Sequence, residues 1–425
     1  MNEKKSKYCN HLIVLIIVST LVRGLLAGLL ELGNDEVYYR LYALYPDWSH
    51  FDHPAMVGWV IQLFSLNLLF QSEFFLRLGS VVFGAVNIFI IYKIGKTIKN
   101  ERTGFFAALL YVASIYATVI TGIFILPDTP QNLFWLLSVL FIVKSVPENP
   151  VNAAAKGNLL LVGLFIGLAV LSKYTSVFLW FGAGSYILFF NRKWLKSPYL
   201  YLSAIITVLC MLPIIIWNFQ NQFISFTFQG GRVVSGGQIH FDYFLTELLG
   251  EIFYNNPINF ALIVLSLVFF FRKKLDLNKN FARIILLISL PLIVVFLAIS
   301  FFRGTLPHWT APAYTTLILL AAAWLDQKVK AGIIFPKSII ASLSLLAIIL
   351  VLGFAQINYG IFQIDNSEKY TETGSNDPSL DLYGFKQVGK AFADIVKEDC
   401  AKGEMPKDAI LVGNNWFPLA NYDYY

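Results

Sequence analysis

Charge is scarce in this sequence. Asp, Glu, Lys and Arg make up 14% of its 425 residues, about half the share of an ordinary soluble domain, whereas hydrophobic residues reach 57%. Mean hydropathy is +0.64, which excludes a disordered or highly solvated chain. Cysteine is nearly absent: Cys9, Cys210 and Cys400 lie too far apart for metal-ligand spacing or a disulfide framework. Five histidines show no His/Cys ligand pattern either. The net charge of +6 does not imply a nucleic-acid partner, because most basic residues sit in short loops between apolar runs and report orientation instead.

Apolar runs of roughly 18–22 residues are what the chain has in quantity, each able to cross a hydrocarbon core of about 30 Å as a helix. They predict an all-α polytopic membrane protein with about eleven transmembrane helices, over 11–32, 73–95, 104–124, 130–146, 157–172, 174–191, 199–218, 257–271, 282–302, 309–326 and 338–358. Lys4, Lys5 and Lys7 precede the first run, which is too long for a signal-peptide core and ends in no small-residue cleavage site, so a retained anchor is expected. With the N-terminus cytoplasmic, about twenty basic residues fall in inner loops and about five in outer ones, namely Arg40, Arg77, Lys173, Arg232 and Arg303. The expected setting is the cytoplasmic (inner) membrane, with Asp35, Asp52, Asp128, the 219–256 loop and everything after Asn358 on the extracytoplasmic side.

Residues 54–70 are apolar but about one turn short of a span, which predicts an interfacial or re-entrant helix. Two domains are expected: a transmembrane catalytic domain over 1–358 and a small outer αβ appendage over 359–425, with a strand at Ala409–Val412. The last residues read as a helix just under way, as in a truncated chain.

Candidate chemistry begins in the acid- and aromatic-rich stretch 34–54, NDEVYYRLYALYPDWSHFDHP. Asn34 can cap a helix starting at Asp35, and Asp35, Tyr39 and Tyr42 then share one face at i, i+4 and i+7. A capped interfacial helix with an aromatic belt would explain the stretch. Two acids at the end of a span also mark function, and a carboxylate there can deprotonate an acceptor hydroxyl. Asp52 and His53 can hold a phosphate or a divalent metal, or simply form a turn closed by Pro54; a metal cofactor is not required by the sequence. Asp128, before Pro130, reads both as a helix start and as an acid on a short outer loop. Arg232, among glycines, suits an anionic phosphate gripped by a guanidinium and nearby backbone N–H groups. Lys173 and the Arg303/His308 segment add further polar groups to the same side.

DEVYYRLYALYPDWSHFDHP, followed by PDTPQNLFW, LSKYTSVFLW, WNFQNQFISFTFQGGR and LPHWTAPAY, resembles the bacterial branch of the GT-C glycosyltransferases. That branch includes the protein O-mannosyltransferases and the lipid A aminoarabinose transferase. The resemblance implies inverting transfer of a sugar from a polyprenyl-phosphate carrier at the outer face, to a lipid, glycan or protein acceptor. It implies catalytic positions at Asp35, its partner Glu36, and Asp128. Asp52 and His53 fall where the aminoarabinose transferase has an acid–lysine pair that helps hold a metal and the lipid phosphate; histidine replaces lysine here. Arg232 lies in the WN…SF.FQ..R segment, and Tyr39, Lys173 and His308 complete the expected substrate-binding set. A transporter of lipid-linked glycans is the alternative, although the ionisable residues gather at one face and the two halves show no inverted repeat.

Overall fold

The computed structural model describes residues 7–233, 237–362, 377–414 and 416–425. Lys4 and Lys5, counted above as inner-side charges, lie outside the described residues. Seventeen α-helices run in order as α1 (Lys7–Leu29), α2 (Asn34–Leu44), α3 (Met56–Phe64), α4 (Glu73–Ile98), α5 (Glu101–Ala113), α6 (Asp128–Ser145), α7 (Ala153–Ser172), α8 (Phe178–Phe190) and α9 (Pro198–Gln220). Then follow α10 (Ile224–Val233), α11 (Phe241–Tyr254), α12 (Pro257–Phe271), α13 (Lys279–Ser300), α14 (Ala311–Lys328), α15 (Lys337–Tyr359), α16 (Phe385–Lys402) and α17 (Trp416–Tyr424).

A helix lies over each expected span. Six of them (α1, α4, α7, α9, α13 and α15) are long and apolar enough to cross a membrane alone, and α11 with α12 passes the same test only as a pair bent by 98°. The chain is a multi-pass membrane protein. Its outward faces are oily, with Ile13, Ile17, Leu21 and Leu25 of α1 all exposed, as lipid-facing helices require. Between helices, small residues bring backbones together. On α7, a Cβ at Gly163 would come within 2.1 Å of the Ser203 carbonyl, and Thr207 donates to the Gly163 carbonyl at 2.7 Å.

The run 104–124 departs from a plain helix. It begins in α5 and continues through a π-helical turn at Tyr116–Ile120 into the loop before α6. The expected break at 172–174 is real: α7 stops, Lys173 is extended, and a 3₁₀ turn at Tyr174–Val177 leads into α8.

The first outer loop folds into the two short helices α2 and α3. Asn34 is not the cap: Gly33 takes that place, and the Glu36 carboxylate turns back to accept the Gly33 N–H at 2.9 Å. Gly58 of α3 lies so close to α2 that a Cβ would meet the Tyr42 backbone at 2.8 Å. Beneath α2, Glu36 meets Arg77 of α4 in an ion pair at 2.5 and 2.7 Å, with both side chains buried. Arg77 also donates to the carbonyls of Ala27, Leu30 and Glu31 at the end of α1, and Glu36 accepts the Ile125 N–H at 2.9 Å.

Over its described residues the tail is helical and 3₁₀-helical with irregular connections. The strand expected at Ala409–Val412 does not form: Ile410 and Val412 are more than four-fifths exposed, and no neighbouring strand among the described residues supplies a ladder. α17 instead docks on α2, through Arg40–Asp423 at 2.6 Å, Leu32 N–H to the Tyr425 hydroxyl at 2.7 Å, and Asn421 to Asn34 at 3.0 Å.

Removing one partner of a buried ion pair strands the other. Arg77→Met should therefore cost about 3–5 kcal/mol, read as a lower melting midpoint in detergent, while Glu36→Gln costs less. An unchanged midpoint for Arg77→Met would refute the keystone role of the pair.

Candidate active site

One cavity of about 530 Å³ collects side chains from six distant segments. α2 and the loop after it supply Asp35, Tyr38, Tyr39, Asp52 and His53. Asp128 enters from the start of α6, Lys173 from the α7 break, Arg232 from α10, and His308 with Trp309 from the turn before α14. Trp416 of α17 closes one side. Eight of the nine sequence-selected residues line this space; Glu36 does not.

Glu36 is a correction. It points away from the cavity into the Arg77 pocket, where both oxygens are consumed by the guanidinium and two backbone N–H groups. It has no lone pair to spare for a substrate, so it builds the loop.

The three cavity carboxylates have unlike surroundings. Asp35 opens into the cavity and makes no hydrogen bond or ion pair among the described residues. Enclosure by the cavity walls, then the nearby Asp52 charge, raise its pKa to about 6. Asp52 accepts the hydroxyls of Tyr42, in a very short contact, and of Tyr38 at 3.2 Å. Asp128 is buried, accepts the Lys173 ammonium at 2.7 Å on Oδ2 and the Tyr116 hydroxyl at 3.2 Å on Oδ1. Among these three, Asp35 alone has neither carboxylate oxygen in a hydrogen bond or ion pair among the described residues.

The basic side is equally differentiated. Burial lowers the pKa of both His53 and His308 to about 4, so each is a neutral imidazole at pH 7. Neither serves as a cation. Lys173 spends one N–H on Asp128 and retains two donors. Arg232 lies in a helix rather than in the glycine loop expected, so the neighbouring N–H groups belong to the helix ladder and the guanidinium acts alone. It forms no ion pair among the described residues and rests on two aromatic faces, 4.7 Å from the Trp309 centroid and 5.3 Å from that of Phe228. Arg40 and Arg303 line no part of the cavity, Arg40 being paired with Asp423.

A second pocket of about 250 Å³ adjoins the first through His53, Lys173, Arg232 and Trp309. Val177, Phe178 and Phe296 give it apolar walls. The cavity thus has an acid side at Asp35 and a cationic side continuous with an oily pocket.

For a divalent metal the donors fit poorly. Asp52 already accepts two phenols, and no group of three or more His, Cys, Asp or Glu among the described residues is arranged to hold an ion.

Tyr38, Tyr116, Trp309 and Trp416 escaped the sequence reading. Tyr38 had a signal, being four residues before Tyr42 on the Asp52-facing side of α2. Tyr116 and Trp416 had none, since a π turn and a distant tail bring them in.

A family model described as dolichyl-phosphate-mannose-protein mannosyltransferase matches residues 52–217. Among solved structures, ArnT from Cupriavidus metallidurans bound to undecaprenyl phosphate is similar with a TM-score of 0.61 and 16% identity, over 96% of this chain and 74% of that one. The same protein in the apo state gives 0.61 and 16%, over 97% and 74%. The apo oligosaccharyltransferase of Archaeoglobus fulgidus is more distant, at 0.49 and 13% over 90% and 60%. No curated protein matches the sequence. The chain shares the fold of ArnT, the fold that the resemblance of its motifs had implied.

The raised Asp35 pKa has a stability consequence. Between its unfolded value of 3.8 and about 6 the folded state binds the proton more tightly, so stability falls as pH rises through that window. Asp35→Asn should accordingly raise the melting midpoint relative to the parent at pH 7.5 and lose that advantage near pH 4. A constant difference across the range would refute the assignment.

Proposed function

We propose that the chain is an integral-membrane glycosyltransferase that moves a sugar, with inversion, from a polyprenyl-phosphate carrier to a lipid, glycan or protein acceptor. The observation that carries this reading is the cavity's layout: an unpartnered carboxylate opposite two cations, with the cationic side running into an apolar pocket. The mannosyltransferase model and the undecaprenyl phosphate held by the similar ArnT support a lipid-phosphate donor. The charge bias of the loops supports an outer active face of the cytoplasmic membrane and an inner N-terminus. Residues 1–358 would be the catalytic domain and 359–425 an outer appendage that lends Trp416 to the site.

In this mechanism the polyprenyl chain lies in the Val177/Phe178/Phe296 pocket, and its phosphate meets Arg232 and the spare donors of Lys173. Asp35 takes the proton of an acceptor hydroxyl, whose oxygen attacks the anomeric carbon from the face opposite the phosphate. The bond from that carbon to the phosphate oxygen breaks, and its electron pair leaves on polyprenyl phosphate. A pKa of about 6 suits a base working at neutral pH. Asp128, fixed by Lys173 and Tyr116, orients sugar or acceptor, while neutral His53 and His308 offer single hydrogen bonds. For a phosphate acceptor, already ionised, Asp35 would chiefly position it. Membrane lipids surround the donor throughout.

The test is release of undecaprenyl phosphate from a panel of undecaprenyl-phosphate sugars by the protein in nanodiscs. One donor should turn over, with kcat/KM rising through pH 6. Asp35→Asn should lower kcat about 10²–10⁴-fold, and Arg232→Ala should weaken undecaprenyl phosphate binding by about 1.5–3 kcal/mol. Full transfer by Asp35→Asn would remove its role as base. Movement of the intact lipid-linked sugar across the bilayer without cleavage would replace transfer by transport.

A further inference from the structure

Two of the three carboxylates of α11, Glu247 and Glu251, stand one turn apart and are both fully buried. Among the described residues neither forms an ion pair with a lysine, arginine or histidine. Burying such groups without counter-charge is unfavourable, and in a membrane protein it marks a task. Their partners are hydroxyls of the neighbouring strap at 305–310 and of α14, which follows it. Glu247 accepts from Thr305 at 2.7 Å; Glu251 accepts from Thr310 at 2.7 Å and from Tyr314 at 2.9 Å.

Between the two acids, Gly250 lets the helix backbone touch the strap, where a Cβ would come within 2.2 Å of Pro307. The strap is therefore clasped at three points along six residues. Those six residues also carry His308 and Trp309 into the cavity. Trp309 is one of the two aromatic faces on which the Arg232 guanidinium rests.

We propose that Glu247 and Glu251 are positioning residues for phosphate recognition: they fix the 305–310 strap so that Trp309 holds the Arg232 guanidinium toward the cavity. Each acid makes one bond to the strap, and Glu251 has the larger share because its second bond, from Tyr314, ties the strap's end to α14, whereas the Oε1 of Glu247 has no partner among the described residues. The inference rests on the reading of Arg232 as the phosphate ligand, and it assigns a function to two acids that touch no substrate.

Two measurements on the full chain in detergent test it. In hydrogen–deuterium exchange without ligand, Glu251→Ala should raise exchange in 303–310 and in 224–233 while leaving α6 and α7 unchanged. Glu251→Gln, which can accept from Thr310 and donate to Tyr314, should restore protection. Thr310→Val serves as the milder variant if Glu251→Ala does not purify. In undecaprenyl phosphate binding, Glu251→Ala should raise Kd about tenfold in the parent and less than about twofold in an Arg232→Ala background. Unchanged exchange in both segments, exchange rising throughout α11–α14, or equal factors in both backgrounds would overturn the proposal. If the parent fails to bind undecaprenyl phosphate, the donor reading falls, and the exchange result still decides the clasp.

Discussion

The ion pair between Arg77 and Glu36 is the constraint on which the site depends. Arg77 has five N–H donors, and five acceptors meet them: both Glu36 oxygens and the carbonyls of Ala27, Leu30 and Glu31. The guanidinium thereby satisfies carbonyls that the end of α1 would leave bare, where a positive charge also complements the helix dipole. Glu36 in turn satisfies N–H groups at the start of α2 and at Ile125. One buried contact thus sets α1, α2, α4 and the approach to α6 relative to each other. Asp35 and Asp128 stand at the two ends of that frame, 93 residues apart in sequence and lining one cavity.

Given the frame, the chemistry follows from what each acid is left to do. Asp128 is neutralised by Lys173, and Asp52 accepts two phenols. Asp35, one residue before the structural Glu36, has no such partner, and its enclosure and then Asp52 raise its pKa to about 6. Adjacent residues on a helix point about 100° apart, so DE at the start of α2 divides into one group for the cavity and one for the scaffold.

That division explains what was legible in the sequence. Ionisable residues in an apolar chain stand out, and loop charge alone gathered Asp35, Asp52, Asp128, Lys173 and Arg232 on one side; all five line the same cavity. The short 54–70 run was rightly too brief for a span and folds as α3. Glu36 was misread because its role depends on Arg77, 41 residues later, whose burial no local pattern reports. Arg232 was read as a loop residue because two glycines precede it, yet Gly230 and Gly231 sit inside α10. The short apolar run at 409–412 suggested a strand, but a strand also needs a neighbour to pair with, and none stands beside it among the described residues.

The cations repeat the logic of the acids. A phosphate ester leaving group needs positive charge that is not already neutralised, and Lys173 is partly committed to Asp128. Arg232 is held without an anionic partner among the described residues. Aromatic faces fix a guanidinium while leaving its N–H edge available, whereas a carboxylate would fix it by occupying that edge. Building the anchor from Phe228 and Trp309 therefore keeps full charge for a ligand at the mouth of the apolar pocket, and it transfers the burden of positioning to whatever holds Trp309. In this fold the acids of α11 carry that burden at a distance, where their own charge cannot compete with a phosphate for the arginine.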